Sequence, residues 1–173
     1  MQLGFSFDVF RCTGCMACVV ACLDQNDLPG EGPTFRHVTR LEKGKYPSAR
    51  IAFLSMSCLH CGDAPCIMVC PTGAIYKSEE NGIVVTKKDL CTGCHSCALV
   101  CPFGAPRFLE DGKMSKCNFC FERVAHRLEP ACVRVCPTRA LGFGPMEKLA
   151  EEKAERASRS ILDSLLIVAG QPC

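Results

Sequence analysis

The stretch Cys12-Thr13-Gly14-Cys15-Met16-Ala17-Cys18-Val19-Val20-Ala21-Cys22 returns, nearly letter for letter, as Cys91-Thr92-Gly93-Cys94-His95-Ser96-Cys97-Ala98-Leu99-Val100-Cys101. Both have the spacing C-x2-C-x2-C-x3-C. Two further groups are variants of it. Cys58, Cys61, Cys66 and Cys70 open one gap to four residues, and Cys117, Cys120, Cys132 and Cys136 open it to eleven. Together the four groups take sixteen of the seventeen cysteines in a chain of 173 residues. Pro71, Pro102 and Pro137 follow the last cysteine of three groups, where a proline stops a local helix and turns the chain away.

This spacing is the ligand run of cubane 4Fe–4S clusters, written four times. Two-residue gaps let three thiolates wrap one corner of a cube along a single loop. Gly14 and Gly93 suit that loop, which needs tight and partly positive-φ backbone, and its amide N–H groups can face sulfur. The fourth cysteine lies too far along for the same cluster. In two-cluster ferredoxins it ligates the other cluster. On that cross-tied pattern Cys12, Cys15 and Cys18 share a cluster with Cys136, and Cys117, Cys120 and Cys132 share one with Cys22. Likewise Cys58, Cys61 and Cys66 go with Cys101, and Cys91, Cys94 and Cys97 with Cys70. The expectation is four 4Fe–4S clusters, with iron as the metal on all sixteen.

Disulfides are the first alternative, since cysteine is about a tenth of the chain, a level that can mark a secreted scaffold. The N-terminus shows no basic segment and apolar core of the secretory kind, and repeated two-residue gaps suit metal better. Zinc is the second. Zinc sites join two C-x2–4-C knuckles through a longer loop, so only the fourth group passes as a zinc ribbon, and its Cys-Pro ending fits iron better. Cys173 is left over and reads as an incidental free thiol.

Composition supports a cluster-stapled chain. The formal charge is +2, but each cluster with its thiolates adds about −2, so the loaded chain sits near −6. Arg107, Lys113, Lys116, Arg123, Arg127, Arg134 and Arg139 lie among the later ligands. They read equally as counter-charges, as a partner surface, or as a solvated basic face. The positive residues are spread, and no nucleic-acid module is visible. The most apolar late stretch, Ile161–Gly170, is short and holds Asp163, so no direct membrane span is expected. Labile clusters and free thiols point to a reducing, cytoplasmic setting, although export alongside a signal-bearing partner remains compatible with a chain lacking its own signal.

Internal repetition suggests the architecture. CPTGAI at Cys70–Ile75 returns as CPTRAL at Cys136–Leu141. Between the second and third groups, Asn81-Gly82 is a hairpin-turn dipeptide flanked by short apolar runs. Residues 57–102 therefore read as an inner ferredoxin-like unit. Residues 1–34 plus 103–145 form an outer one, opened by a strand over Gly4–Arg11, with Phe5, Phe7 and Val9 on one side, and closed by a strand over Arg139–Phe143. Residues 35–56 form an inserted hairpin, with strands Phe35–Glu42 and Ala49–Met56, either docking surface or plain packing. Pro145 opens a last helix with an irregular apolar stripe of Leu149, Ala150, Ala154, Ile161, Leu162, Leu165 and Leu166, which packs either on the body or on another subunit, and residues 146–173 are that helix and a tail extended from Ile167. The fold class is α+β: two nested ferredoxin-like units of pseudo-two-fold relation, each binding two 4Fe–4S clusters, with a β-hairpin and a C-terminal helix. His60 and His95 sit inside ligand runs and read as tuning residues or exposed neighbours, whereas His37 and His126 carry no argument. No Ser/His/Asp set, paired carboxylates, phosphate loop or flavin motif appears, so no catalytic residue is expected.

The chain resembles the four-cluster ferredoxin-like iron–sulfur subunits of molybdenum- and tungsten-pterin oxidoreductases, dimethyl sulfoxide reductase iron–sulfur subunit type. The resemblance runs from Gly4 to about Leu149, through RCTGCMACVVAC (Arg11–Cys22), SCLHCGDAPCIMVCPTGAI (Ser57–Ile75), CTGCHSCALVCPFGAPRF (Cys91–Phe108) and KCNFCFERVAHRLEPACVRVCPTRALGFGP (Lys116–Pro145). It implies an electron-transfer subunit, not an enzyme on its own, that wires electrons between a large molybdenum- or tungsten-pterin catalytic subunit and a further redox subunit or carrier. The catalytic partner could be an aldehyde oxidoreductase, a formate dehydrogenase or a reductase. In the family the cluster on the first cysteine group lies toward the catalytic subunit. All sixteen ligand positions are cysteine here, so no 3Fe–4S variant is expected. The chain is short after residue 145 compared with larger relatives, which favours a soluble complex. Two other readings remain: a free soluble polyferredoxin serving several enzymes, and a metal-stapled structural module, which zinc would support.

Overall fold

Small strand pairs, not one large sheet, organise the chain. The computed structural model describes residues 1–169. Eight strands form four separate antiparallel pairs, β1 (Leu3–Phe7) with β8 (Leu141–Pro145), β2 (His37–Lys43) with β3 (Arg50–Met56), β4 (Ile75–Lys77) with β5 (Val84–Thr86), and β6 (Arg107–Phe108) with β7 (Met114–Ser115). Five α-helices lie between them, α1 (Ala17–Gln25), α2 (Pro65–Met68), α3 (Ser96–Val100), α4 (Phe121–Ala125) and α5 (Ala131–Arg134), with a 3-10 turn at Lys88–Leu90, and a sixth, α6 (Met146–Ala169), follows β8. The class is α+β.

The β1–β8 pair closes the two ends of the chain on each other, with Phe5 opposite Phe143 and Phe7 opposite Leu141. The β4–β5 hairpin turns through Asn81-Gly82, with Gly82 at φ 68°, and buries Ile75, Ile83 and Val84. The two meet where the Leu3 amide donates to the Asn81 carbonyl at 2.9 Å.

Several boundaries differ from the expectation. β1 stops at Phe7, not Arg11, because Asp8 starts a turn: its Oδ1 accepts the Phe10 N–H at 3.0 Å, and Val9 swings outward to 40 % exposure. An aspartate closing on the backbone two residues on is a turn in its own right. β8 starts at Leu141, two residues late, because Arg139 takes a left-handed φ of 51° and the Ala140 amide turns to the Cys136 sulfur at 3.2 Å. Pro145 ends β8 instead of opening the helix, which begins at Met146 and runs through Ile167 to Ala169. The expected tail over 167–169 is therefore helical, and Cys173 lies outside the described residues. The β6–β7 hairpin was not anticipated, although Asp111-Gly112 at its turn, with Gly112 at φ 68°, is a recognised hairpin signal.

The apolar stripe expected of α6 does not pack on the body. Leu149 is half-buried beside Gly144, but every residue from Ala150 to Leu165 is exposed, including Ile161, Leu162 and Leu165. Helix formation there rests on good helix formers and on ion pairs one turn apart, Glu155 with Arg159 at 2.6 Å and Lys148 with Glu152 at 4.0 Å. The Arg156 guanidinium ties the helix to Asp8 at 3.1 Å.

Candidate metal centres

The leading cysteines of each run are set by one loop, and in the fourth run Cys132 comes instead from α5, after α4. In the first run Gly14 (φ 70°) and Met16 (φ 65°) take left-handed backbone, and Gly93 (φ 69°) and His95 (φ 64°) repeat this in the third. In the other two runs the equivalent bends fall on His60 (φ 49°), Phe119 (φ 64°) and Cys120 (φ 50°). Bends of this hand in tight succession turn amide N–H groups toward the inside of the loop. The fourth cysteine comes off a short helix. α1 carries Cys18 and Cys22 one turn apart on one face, so a single rigid helix serves two sites.

Those loops bring the thiols together in quartets. Cys12, Cys15, Cys18 and Cys136 line one cavity, with Gly14, Ser55 and Ala140. Cys58, Cys61, Cys66 and Cys101 line a second, with Ala64, Val84 and Lys116. Cys70, Cys91, Cys94 and Cys97 line a third, with His95, Phe108 and Met114. Cys22, Cys117, Cys120 and Cys132 are also neighbours, because the charges of the other three each push the Cys22 thiol up. We number the quartets one to four by the chain order Cys12, Cys22, Cys58 and Cys70 of their first members.

The donor chemistry fits a polynuclear cluster. Zinc holds four thiolates at about 2.3 Å, drawn to one point. Among the described residues no three His, Cys, Asp or Glu side chains converge in that way; the thiols ring a cavity instead. Backbone amides already point at the sulfurs: Ala140 at Cys136 (3.2 Å), Met114 at Cys91 (3.3 Å), Ala105 at Cys101 (3.4 Å) and Phe119 at Cys117 (3.4 Å). Such N–H···S contacts stabilise sulfur-borne negative charge and help set cluster potential.

Burial and hydrogen bonding pull the thiols in opposite directions. Burial pushes Cys22 up to about 12, and Cys117, Cys120 and Cys132 are also raised, burial being the largest cause in each. At three thiols of the outer quartets amides and hydroxyls win, whereas burial pushes Cys97 of quartet four up to about 11. Burial pulls Cys70 and Cys136 upward but is outweighed by hydrogen bonds from Thr72, Thr138 and nearby amides, and the Ser96 backbone holds Cys94 below the usual thiol value. Any metal entering the central quartets must displace protons from these thiols.

The two histidines inside ligand runs differ in burial, and a buried arginine joins them. His60 is 1 % exposed; its Nδ1 accepts the Val84 N–H at 3.0 Å and its ring meets Phe119 edge-on at 5.2 Å. Burial, with Lys116 nearby, holds it well below the ordinary histidine value, so it is neutral. His95, by contrast, is exposed and stacks on Phe108 at 3.7 Å. Arg36, absent from the sequence argument, is 2 % exposed, and no local pattern marks it out. Of the basic residues singled out among the later ligands, Lys116 alone is buried; Arg123 reaches the Glu129 carbonyl at 2.8 Å and Arg134 faces Glu129 at 3.9 Å.

The loops predict a graded response to a methyl group. At Gly73 (φ 64°) an added Cβ meets open space, whereas at Gly93 (φ 69°) it lands 2.6 Å from the Gly112 carbonyl oxygen, which is backbone. Gly73→Ala should cost about 1 kcal/mol of left-handed strain. Gly93→Ala should cost about 2–4 kcal/mol because the clash adds to the strain. Thermal unfolding of the iron-loaded proteins measures the difference; equal costs would show that the third run does not hold this close approach.

Loops of thiols around cavities, with amides aimed at sulfur, define a ferredoxin-like iron–sulfur protein. Known proteins agree. The model of a 4Fe–4S dicluster domain matches residues 49–146, and a second 4Fe–4S dicluster model matches residues 11–74. YnfG, named as a probable anaerobic dimethyl sulfoxide reductase chain of Escherichia coli K12, is 42 % identical over 166 residues, covering 91 % of this chain and 80 % of that one. The thiosulfate reductase electron transfer subunit PhsB of Salmonella typhi is 45 % identical over 145 residues, covering 82 % and 74 %. A sulfite dehydrogenase subunit of Allochromatium vinosum is 37 % identical over 164 residues, covering 83 % and 68 %. This protein belongs to the 4Fe–4S dicluster family, among the iron–sulfur subunits of molybdopterin oxidoreductases of the dimethyl sulfoxide reductase type.

Proposed function

We propose that each quartet holds one 4Fe–4S cluster, sixteen cysteines for four clusters, and that the chain conducts electrons through them in series, from quartet one through two and three to quartet four. When bound, each cluster accepts one electron and passes it on. The observation that carries this reading is how the apolar core is divided. Cys18 and Cys136 of quartet one pack with Cys132 of quartet two. Cys22 and Cys117 of quartet two pack with Cys58 and Cys101 of quartet three. Cys61 and Cys66 of quartet three pack with Cys97, Cys70 and Cys91 of quartet four. Consecutive quartets share a water-poor core, and none of these cores joins quartet one to three or four.

The same reading takes residues 1–34 plus 103–145 as an outer ferredoxin-like unit and 57–102 as an inner one nested in it, with the 35–56 hairpin inserted and the helix after residue 145 appended. Pairing of β1 with β8 and of β4 with β5 supports that nesting. The chain is then a wire and not itself an enzyme, working in a reducing compartment. Its partner at the quartet-one end is a large molybdenum- or tungsten-pterin catalytic subunit, and a further redox subunit or carrier meets the other end. Its relatives' names include both reductases and a dehydrogenase. Among the described residues no helix is long and apolar enough to cross a membrane.

Anaerobic purification with metal analysis tests this. The expected result is about sixteen irons on this chain, with a stable large subunit carrying molybdenum or tungsten. The same iron without a partner would replace the subunit reading with a free polyferredoxin, and zinc would overturn the redox reading altogether.

A further inference from the structure

Two cations are buried in this molecule with no carboxylate to meet them among the described residues. Arg36 is 2 % exposed and Lys116 6 %. None of the five ion pairs among the described residues includes either. A buried charge without a counter-charge is strongly unfavourable, since the interior cannot replace water's solvation. The partners found among the described residues are neutral. The Arg36 guanidinium donates to Ser55 Oγ at 3.0 Å and Ser57 Oγ at 2.9 Å and lies over the Phe5 ring at 4.9 Å. Lys116 Nζ donates to the Val84 carbonyl and to the Cys117 carbonyl at 3.1 Å.

Their places in the fold are not arbitrary. Ser55 lies on the wall of the quartet-one cavity, and its Oγ is 3.5 Å from Cys18 Sγ. Arginine only donates, so Ser55 Oγ accepts from Arg36 and its own hydroxyl proton is free to point at the Cys18 sulfur. On the other side, Phe35, the residue before Arg36, packs with Cys22 and Cys117 of quartet two, and the Arg36 charge opposes the burial that raises Cys132. Arg36 therefore stands at the junction of quartets one and two. Lys116 is bonded in sequence to Cys117 of quartet two and lines the cavity of quartet three, so it stands at the next junction. No third buried cation accompanies the junction of quartets three and four among the described residues.

We infer that Arg36 and Lys116 are built-in counter-cations of the central clusters, positioning residues that hold the reduction potentials of quartets two and three up. The inference rests on the reading of the quartets as cluster ligands. A cluster with four thiolates is an anion, and reduction makes it more so. Burial away from water opposes that extra charge, and a fixed cation at the junction favours it. The central pair of a series is the most buried, so without such cations it would be the hardest pair to reduce.

The test is a potentiometric titration of the iron-loaded protein, followed by electron paramagnetic resonance, with iron counted in every sample. Arg36→Gln keeps hydrogen-bonding capacity and removes the charge. It should lower at least one of the four midpoints by about tenfold or more in the one-electron equilibrium constant, about 59 mV. Arg36→Lys should restore most of that, Lys116→Met should produce a shift of the same sign, and at least one midpoint, that of quartet four, should stay where it was in every variant. Four unmoved midpoints in Arg36→Gln and Lys116→Met at full iron would overturn the inference and leave the cluster reading standing. Loss of iron from Arg36→Gln but not from Arg36→Lys would support a charge requirement; loss from both would assign Arg36 a framework role and overturn its part. Absence of iron from the wild-type protein would defeat the cluster reading itself.

Discussion

Replacing Cys132 by serine should cut electron delivery between the catalytic partner and its natural redox partner by about 100-fold or more, while activity of the catalytic subunit with an artificial dye persists. The magnitude follows from metal-site energetics. Changing even an outer-shell residue typically costs 10–100-fold, and Cys132 is proposed as a direct ligand. Position makes the loss decisive. Cys132 is 4 % exposed on α5 and packs with Cys18 of the neighbouring quartet, so quartet two stands between quartet one and the rest. The shared cores offer no bypass. Cys61→Ser, in quartet three, should behave the same way. Cys94→Ser removes an exposed thiol of quartet four and should block only exchange at the far end, leaving the first three clusters reducible from the catalytic side. Parallel assays with dye and with the physiological partner decide. A common fall in both would make Cys132 a structural requirement of the complex, and no fall in either would break the serial order.

The parts of this molecule that were legible in the sequence are those set by short stretches of chain. Ligand spacing, the repeated Thr-Gly between cysteines and Asn81-Gly82 each encode a local bend, and a local bend is written in a few adjacent residues. The repetition of CPTGAI as CPTRAL also exposed the pairing of the chain's two ends, though β1 ends four residues earlier and β8 starts two residues later than expected. Asp8 and Arg139 explain that shift, one through a side-chain turn and the other through left-handed backbone. What stayed hidden depends on distant segments meeting. Arg36 gains its place only because β3 brings Ser55 and Ser57 beside it. His60 is buried because the loop of Cys117–Cys120 sets Phe119 against it. These two occupy the same position in two different cysteine runs, and each bends left-handed. The apolar residues late in α6 left body and another subunit as alternatives, because a stripe shows that a helix has a face, not what covers it.

Removing the iron should take the fold with it. Among the described residues only eight large apolar side chains other than cysteine are buried (Leu3, Phe35, Ile75, Ile83, Val84, Met114, Phe119 and Leu141), and none is tryptophan. They are divided among four small clusters, three of which also draw on cysteines, and none of the four sheets has more than two strands. An isolated two-stranded pair is at best marginal in water. A structural metal site can carry about 10–16 kcal/mol of folding free energy, against about 5–15 kcal/mol for the net stability of a whole domain. Oxidation and chelation of the loaded protein should therefore abolish cooperative unfolding and protease resistance, with residual helical signal confined to α6, whose exposed length depends little on the body. Any iron-free structure that survives should weaken with rising pH. The unfolded Cys22 thiol ionises near 9, whereas burial holds the folded one up to about 12. The unfolded chain thus loses its proton first, and stability present below about pH 9 drains away between those values. Circular dichroism and limited proteolysis before and after chelation measure the effect. An iron-free chain that kept its full spectrum and a sharp transition would show that the polypeptide alone carries the fold, and that the clusters are passengers in it rather than its staples.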